Sequence, residues 1–308
     1  MIKNRLVIAT RESPLALRQA ELVKNLLNAQ HPHLSIELLG MTTEADKQLN
    51  IPLTDIGGKG LFVKELEEAL YDGRADVAVH SVKDVPMELP PGLCMPVMTE
   101  REDPRDAWVS DHYATLSDLP PEAILGTSSL RRQTQLRALR PDLVMAHLRG
   151  NINTRLRRLD EGEYAAIVLA SAGLKRLGLT SRIRTYLSTD TVLPAAGQGA
   201  LGLECRMDDA DTQQLIAPLN HIATLDCVLA ERALCRRLGG GCKVPTAAFA
   251  HIENGLLVLR GVVANREGSR ILRATHSGLP LAANEIGLTV ADALLAQGAA
   301  SILREFNE

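Results

Sequence analysis

ADVAVHSVKD, at residues 75–84, joins an apolar run to a cluster of polar and charged side chains. Residues 75–79 predict a strand, and the apolar run at residues 77–79 is typical of a strand buried on both faces of a sheet. Residues 80–84 then supply His, Ser, Lys and Asp side chains where the strand ends. In open α/β sheets, ligands bind beyond the carboxyl ends of the strands. The segment therefore predicts an α/β fold and one part of a binding site.

Short apolar runs alternate with helical patterns on both sides of this segment, which predicts βαβ units and a largely parallel sheet. Ser13 and Pro14 are a favourable N-cap and first residue for the first helix. Further strands are predicted at residues 6–9, 36–39, 123–125, 143–148, 165–170 and 200–204, with helices at residues 61–70, 130–140 and 152–160.

The pattern changes near residue 220, where a helix at residues 223–237 is followed by strands at residues 246–252, 256–263 and 270–277 and by a long helix from residue 283. Asn254-Gly255 predicts a tight hairpin between the first two of these strands.

Two polar or glycine-rich connections, residues 100–105 and 194–199, predict that the chain crosses twice between two similar lobes and forms a cleft between them. We expect lobe 1 to comprise residues 1–99 and 200–219, lobe 2 residues 100–199, and a C-terminal α+β domain residues 220–308.

Composition places the chain among globular proteins, with 45% hydrophobic and 23% charged residues. It has no apolar run of the roughly 18 residues that a membrane span needs, and its N-terminus has no signal-peptide pattern. We therefore expect a cytoplasmic protein that does not enter a membrane.

Five cysteines without metal-ligand spacing predict free thiols and no metal site. No heptad seam calls for a dimer, so a monomer is expected.

Positive charge is concentrated between residues 127 and 184, which hold twelve Arg or Lys and four Asp or Glu, although the whole chain has a net charge of −3. This block indicates a compact anionic ligand. Nucleic acid is disfavoured because the block contains a single aromatic residue for base stacking, Tyr164. Solvated helix faces are the alternative explanation for each arginine.

Cations and hydroxyls recur where predicted strands end. A guanidinium group binds a carboxylate through two parallel hydrogen bonds, so several of them at equivalent positions predict a ligand with several carboxylates. The alternative for each position is a helix-capping hydroxyl or a surface cation. The residues are Arg11, Ser13, Lys83, Ser129, Arg131, Arg132, Arg149, Arg155 and Arg176.

Asp84 and Cys242 are candidates for chemistry. An ionised Asp84 can stabilise a cationic intermediate, or it can simply pair with Lys83. Cys242 follows three consecutive glycines and precedes Lys243, which favours an accessible thiolate. A lone exposed cysteine can equally be incidental.

Several long motifs in one order resemble the porphobilinogen deaminase (hydroxymethylbilane synthase) family along nearly the whole chain. They lie at residues 8–11, 13–16, 57–62, 79–86, 101–106, 126–132, 148–151 and 240–242. The resemblance implies two lobes like those of periplasmic binding proteins or transferrins, plus a small C-terminal α+β domain.

The resemblance also implies the activity: stepwise deaminating condensation of four porphobilinogen molecules onto a dipyrromethane cofactor, then hydrolytic release of hydroxymethylbilane. It places the cofactor's thioether on Cys242 and the catalytic carboxylate at Asp84. Lys83, Ser129, Arg131 and Arg132 are expected to bind the cofactor; the expected substrate-binding residues are Arg11, Ser13, Lys59, Phe62, Arg149, Arg155 and Arg176.

Two positions depart from the family's usual pattern: Asp55 replaces a common lysine, and Glu44-Ala45 replaces a basic residue and glycine. Both fall in the segment that the resemblance implies is a mobile lid, so lid contacts are in doubt. The competing hypothesis is a non-catalytic, two-lobed carboxylate-binding protein, which would explain the arginines but neither Asp84 nor Cys242.

Overall fold

The computed structural model describes residues 3–43, 60, 63–240 and 244–306. Within it the chain divides into two compact units. Unit 1 comprises Met1–Glu102 with Ala200–Leu225, and unit 2 comprises Asp103–Gly199 with Asp226–Glu308. The division into three domains, with separate boundaries at residues 99 and 219, remains a prediction. No helix in these described ranges is both long and apolar enough to traverse a bilayer.

Unit 1 contains a five-stranded sheet in the order β2-β1-β3-β10-β4. Its strands are β1 (Arg5–Arg11), β2 (Ser35–Met41), β3 (Val77–Ser81), β4 (Leu93–Met98) and β10 (Leu201–Arg206), and its helices include α1 (Pro14–Gln30), α2 (Lys64–Tyr71) and α6 (Ala210–Ile216). The first three strands are parallel, but β10 is antiparallel to β3 and β4. The returning chain starts β10 beside the carboxyl end of β3, with Leu201 opposite Ser81, so it must run the other way.

Helix α1 shows how the local sequence builds this unit. The Ser13 side chain accepts a hydrogen bond from the Ala16 backbone N–H, which caps the helix directly before Pro14. The buried face of the helix includes Ala20, Val23 and Leu27 and belongs to the core cluster of the β1–β3 strands. Full burial of a Val or Leu side chain contributes about 1.5–3 kcal/mol relative to exposure, so this face fixes the helix on the sheet.

Unit 2 repeats the arrangement with the order β7-β6-β8-β5-β9. Its strands are β5 (Asp106–Val109), β6 (Ile124–Gly126), β7 (Val144–Ala146), β8 (Ala166–Ala170) and β9 (Thr185–Leu187), and its helices include α3 (Leu130–Leu139), α4 (Ile152–Asp160) and α5 (Ser171–Arg176). Strands β7, β6 and β8 are parallel, whereas β5 is antiparallel to β8 and β9. The predicted pair of similar α/β lobes is confirmed.

The last part of the chain forms a three-stranded antiparallel sheet of β11 (Thr246–Glu253), β12 (Leu256–Ala264) and β13 (Ile271–Gly278). Helices α7 (Ile222–Arg237), α8 (Ala283–Ala296) and α9 (Ala299–Arg304) accompany it. The predicted hairpin forms at Asn254 and Gly255, where φ is 51° and 79°. Positive φ at both positions is what a tight hairpin turn of this type requires. The small α+β element of the predicted fold is therefore confirmed.

Three strands were missing from the sequence prediction. Strand β4 contains Pro96, and β5 begins at a charged residue, Asp106, so neither has the uninterrupted apolar pattern used to recognise strands. Strand β9 has only three residues.

The predicted helix at residues 61–70 is observed as Lys64–Tyr71, while residues 61 and 62 lie outside the described part of the chain. The largely parallel sheet becomes a mixed sheet in both units.

Candidate functional site

The sheet of unit 1 brings four of the predicted site residues to one edge. Arg11 ends β1, and Ser13 caps α1 immediately afterwards. Strand β3 lies parallel beside β1, with Ala9 opposite Ala78, so its end reaches the same edge. Lys83 and Asp84 occupy a 3-10 turn, Val82–Asp84, that directly follows β3. Ser13 already uses its hydroxyl as a helix cap, so the capping explanation holds for that residue.

Asp84 is only half-buried. Lys83 has an interaction of its own, but no hydrogen bond or ion pair with the Asp84 carboxylate is found within the part of the chain that the structure describes. The alternative explanation of Asp84 as the salt-bridge partner of Lys83 therefore has no support in the geometry. The carboxylate is left accessible at the carboxyl end of β3, where it can interact with a ligand.

The 3-10 turn is held from two sides. The Gln19 side chain on α1 donates to the Ser81 hydroxyl at 2.9 Å. The Val82 backbone N–H donates to the Ala200 carbonyl at 3.1 Å, at the start of β10. These contacts fix the backbone that carries Lys83 and Asp84.

A buried polar cluster lies between the neighbouring strands β3 and β10, close to the end of β3. His80 Nε2 is 2.8 Å from a carboxylate oxygen of Glu204, and both side chains are almost completely buried. The other oxygen of Glu204 is buried without a hydrogen-bond partner in the described residues. Burial, followed by the nearby charge of Glu204, raises the pKa of Glu67 on α2 to about 7. Two carboxyl groups, those of Glu204 and Glu67, therefore lie close to each other in unit 1.

In unit 2, two strand-end loops are tied together at the equivalent edge. The Ser128 hydroxyl hydrogen-bonds both the carbonyl and the N–H of Leu148 at 3.0 Å, which connects the loop after β6 to the segment after β7. Ser129 is the N-cap residue of α3, yet its side chain makes no capping hydrogen bond. Its hydroxyl is therefore available to a ligand in a way that the hydroxyl of Ser13 is not.

Arg149 lies in the loop between β7 and α4. Its Nη1 atom is buried and has no hydrogen-bond partner among the residues that the structure describes, and burial lowers the pKa of the guanidinium group. The next residue, Gly150, has φ of 99°, and a Cβ atom there would lie 2.9 Å from Thr154. Glycine is therefore required for this loop conformation, which holds Arg149 in place.

Two further arginines hold backbone carbonyls near the same loops. Arg155 Nε donates to the Gly150 carbonyl at 2.8 Å, and Arg176 Nη2 donates to the Gly199 carbonyl at 2.7 Å. Both residues therefore support the backbone conformation of loops in unit 2.

Arg131 and Arg132 are both 6% exposed and converge on Asp106, the first residue of β5. Arg131 Nη1 donates to one Asp106 oxygen at 2.8 Å, and Arg132 Nη2 donates to the other at 2.7 Å. Burial alone would raise the pKa of Asp106, but the charges of the two arginines outweigh it and hold this pKa well below its usual range. The sequence interpretation missed this partner: both guanidinium groups, predicted to point at a ligand, also serve an internal carboxylate.

Gln198 is a second residue that sequence reasoning missed. Its side-chain nitrogen donates to Asp106 at 2.9 Å and to the Pro104 carbonyl at 2.7 Å. The sequence did contain a signal for Asp106, because this residue ends the family-like motif at residues 101–106. One carboxylate balances two guanidinium charges in this cluster, so an excess positive charge remains beside the loop that carries Ser129.

Three predicted site residues, Lys59, Phe62 and Cys242, lie outside the described residues. The departures at Asp55 and at Glu44-Ala45 lie outside them too. Among the described residues, no group of three or more His, Cys, Asp or Glu side chains is arranged to hold a metal ion.

Two family models match the chain. The model described as "Porphobilinogen deaminase, dipyromethane cofactor binding domain" matches residues 6–214. The model described as "Porphobilinogen deaminase, C-terminal domain" matches residues 225–296. The chain belongs to the porphobilinogen deaminase family. The resemblance inferred from the motifs is thereby confirmed.

Membership establishes the reaction. The porphobilinogen deaminase family has hydroxymethylbilane synthase activity, a transferase reaction of porphyrin and heme biosynthesis. Porphobilinogen is the substrate, and dipyrromethane is the cofactor bound by the domain that residues 6–214 match.

Solved structures of binding proteins show only distant similarity. A periplasmic substrate-binding protein of an ABC transporter from Coxiella burnetii is 15% identical, with 71% of this chain and 94% of that chain covered and a TM-score of 0.44. The periplasmic aliphatic sulphonate binding protein SsuA from Escherichia coli is 17% identical, with 76% and 70% covered and a TM-score of 0.42.

Proposed function

We propose that the cations at the strand ends bind the carboxylates of porphobilinogen and dipyrromethane, and that Asp84 is the catalytic carboxylate. Arg149 is the observation that carries this proposal. A guanidinium nitrogen that is buried without a hydrogen-bond partner is costly unless an anion completes its hydrogen bonds. A carboxylate of porphobilinogen, which bears an acetate and a propionate, supplies that anion.

The side chains of unit 2 fit the dipyrromethane cofactor. Arg131 and Arg132 carry two buried positive charges against the single charge of Asp106. The Ser129 hydroxyl makes no capping hydrogen bond. Guanidinium groups and hydroxyls are the donors that carboxylates prefer, so these three residues would bind carboxylates of the cofactor. Lys83 is proposed as a further cofactor-binding residue on the strength of the family resemblance. When bound, the cofactor supplies the terminal pyrrole to which the next ring is joined.

Asp84 is proposed to stabilise the positive charge that develops on the pyrrole system when ammonia leaves the substrate. An accessible carboxylate with no ion pair to Lys83 can face that charge. In a partly desolvated site such an interaction contributes roughly several kcal/mol. The Gln19–Ser81 contact keeps the carboxylate in position by fixing the turn beneath it.

Substitution of Asp84 by Asn tests the catalytic role because it removes charge and keeps shape. We expect turnover of porphobilinogen to fall by about 10²–10⁴-fold, while intact mass still shows the cofactor. Asp111→Asn is the matched control, because Asp111 is exposed in a loop, and it should leave turnover unchanged. Near-normal turnover of Asp84→Asn would contradict the assignment.

Cys242 is proposed as the attachment point of the cofactor, on the strength of the glycines before it and Lys243 after it. Intact mass of the wild-type protein should exceed the polypeptide mass by two porphobilinogen units less two ammonia molecules. Cys242→Ala should lose this increment, and Cys94→Ser should retain it. A folded wild-type protein without the increment and without turnover would favour the non-catalytic carboxylate-binding protein.

We also propose a cytoplasmic monomer with no nucleic-acid partner. The single aromatic residue of the basic block, Tyr164, is 6% exposed, and its hydroxyl donates to the His147 carbonyl at 2.7 Å. It therefore cannot stack on a base. Light scattering tests the monomer, and salt-dependent binding of DNA or RNA would contradict the exclusion of nucleic acid.

A further inference from the structure

Cys94 and Cys205 form a facing pair of thiols in the sheet of unit 1. They lie directly opposite each other on the antiparallel strands β4 and β10. Their Sγ atoms are 3.8 Å apart. Neither is in a disulfide, and the same is true of Cys227 and Cys235 on α7.

The backbone at this pair suits a covalent link. Directly opposed residues on antiparallel strands have Cα atoms about 4.5–5.5 Å apart. Disulfides usually join Cα atoms separated by about 4.4–6.8 Å. The pairing of β10 with β4 is irregular between Leu203 and Cys205, next to this pair. Formation of an S–S bond of about 2.05 Å needs the two sulfur atoms to approach from 3.8 Å, which rotation of the side chains can provide.

We propose that Cys94 and Cys205 are a redox-active dithiol that forms a cross-strand disulfide by exchange with a disulfide oxidant such as oxidised glutathione. This goes beyond the deaminase activity and involves none of its proposed site residues. Oxidation removes two protons and two electrons from the thiols and reduces the oxidant to two thiols.

The two cysteines differ in access, which fixes the order of the exchange. Cys94 is partly exposed, whereas Cys205 is 0% exposed. The Cys94 thiolate attacks the oxidant, forms a mixed disulfide and releases one glutathione thiol. The Cys205 thiolate then attacks the Cys94 sulfur, forms the internal disulfide and releases the second glutathione. A buried second thiol protects the mixed disulfide from other attackers.

Reaction at this pair should be slow compared with that of an exposed thiol. Burial is the main cause that raises the pKa of both thiols, and for Cys205 it is raised to about 12. Because the thiolate is the attacking species, a raised pKa lowers the reactive fraction at neutral pH. The pair therefore stays reduced in brief exposure and oxidises on prolonged exposure.

A disulfide here would close a loop of the chain that contains the whole stretch Asp103–Gly199, because that stretch lies between the two cysteines in sequence. Cross-links that close long loops constrain the unfolded chain most strongly. The oxidised protein should therefore unfold at a higher urea concentration than the reduced protein.

The test uses the holoenzyme incubated with excess oxidised glutathione, quenched in acid, denatured and alkylated with N-ethylmaleimide. Peptide mass spectrometry should recover residues 94 and 205 in one linked pair, with Cys227 and Cys235 alkylated, and dithiothreitol should restore both thiols. Cys205→Ser should accumulate a glutathione adduct on Cys94. Cys227→Ser is the matched control and should still form the linked pair.

Recovery of Cys94 and Cys205 as alkylated thiols after prolonged incubation would overturn the proposal. A stable glutathione adduct on Cys94 of the wild-type protein would overturn it as well, because it would show that Cys205 does not resolve the mixed disulfide. The urea midpoint should rise on oxidation in the wild-type protein and stay constant in Cys94→Ser. None of these outcomes depends on turnover of porphobilinogen, so the inference stands or fails separately from the proposed function.

Discussion

Asp106 receives hydrogen bonds from Arg131 at both carboxylate oxygens, at 2.8 and 3.3 Å, in a place where the carboxylate is completely buried. Arg132 and Gln198 donate to the same group. Asp106 thereby orients the guanidinium groups of Arg131 and Arg132 without needing to contact a ligand itself. Preorganised donors bind an anion without first having to be ordered, so this contact links the fold of unit 2 to its proposed ligand.

Asp106→Asn should destabilise the protein by about 3–5 kcal/mol, because it leaves two buried guanidinium charges without a counter-charge. Urea denaturation at neutral pH measures this loss. Asp142→Asn is the matched control: Asp142 also pairs with an arginine, Arg140, but 37% of its side chain is exposed, so a much smaller loss is expected. Equal losses for the two variants would contradict the assigned role of burial.

Arg149→Met should separate binding from stability. Removal of a buried donor that has no partner in the described residues leaves nothing unpaired behind. The free energy of unfolding should therefore stay constant or rise, since a desolvated cation is replaced by an apolar chain of similar length. Porphobilinogen turnover should fall through the loss of a carboxylate contact worth about 1.5–3 kcal/mol, roughly tenfold or more in kcat/KM.

The control for Arg149 is Arg157→Met, which removes an exposed arginine of α4 that pairs with Glu161, the residue directly after this helix. Arg157→Met should change neither the free energy of unfolding nor kcat/KM appreciably. A marked loss of stability in Arg149→Met would show that the guanidinium supports the fold and would remove the main support for the ligand-binding role.

Much of the fold was predictable from the sequence because burial imposes hydrophobic patterns, as in the apolar residues 77–79 of β3 and the capped helix after Ser13. The edge positions of Arg11, Lys83 and Asp84 followed from the same patterns. The partner of Arg131 did not, because Asp106 is 25 residues away and begins a strand of four residues. A charge buried by tertiary contacts has no local signature, so strand β5 and its role were both missed.

Acid should weaken unit 1 through Asp209. Burial would raise the pKa of this carboxyl, but hydrogen bonds from Lys3 and Thr212 outweigh that effect and lower the pKa. Since the pKa is lower in the folded protein, the stabilisation is present above the unfolded value of about 3.9 and is lost as pH falls below it. Lys3→Met should therefore lower stability at neutral pH, by about 1 kcal/mol after solvent screening, and reduce the dependence of stability on pH in acid.

Urea midpoints at neutral and acidic pH measure this effect. Arg5→Met is the control, since Arg5 and Glu37 form an ion pair in which both side chains are more than half exposed. If Lys3→Met retained the full acid dependence of the wild-type protein, the pairing of Lys3 with Asp209 would not be its cause.

Glu67 should affect the pH dependence of stability in the opposite sense to Asp209. Burial and the nearby Glu204 raise its pKa to about 7, so the folded protein holds a proton that the unfolded chain releases above about pH 4.3. Stability should therefore fall as pH rises from about 4 to about 7 and stay reduced above that range. Glu67→Gln removes the penalty and should stabilise the protein by about 1 kcal/mol at about pH 8, after allowance for partial exposure, with no gain at about pH 4.

The neighbouring Glu68 provides the control, because its side chain is 55% exposed and it pairs with Lys64 on the same helix. Glu68→Gln should reduce the pH dependence of the urea midpoint only slightly, because the charge of Glu68 is the smallest cause of the raised Glu67 pKa. A gain in Glu67→Gln that is equal at both pH values would mean that packing of the amide, not loss of a charge, is responsible. A pH-dependent gain that disappears when Glu204 is also replaced by Gln would identify the buried carboxylate behind β3 as a source of the raised pKa.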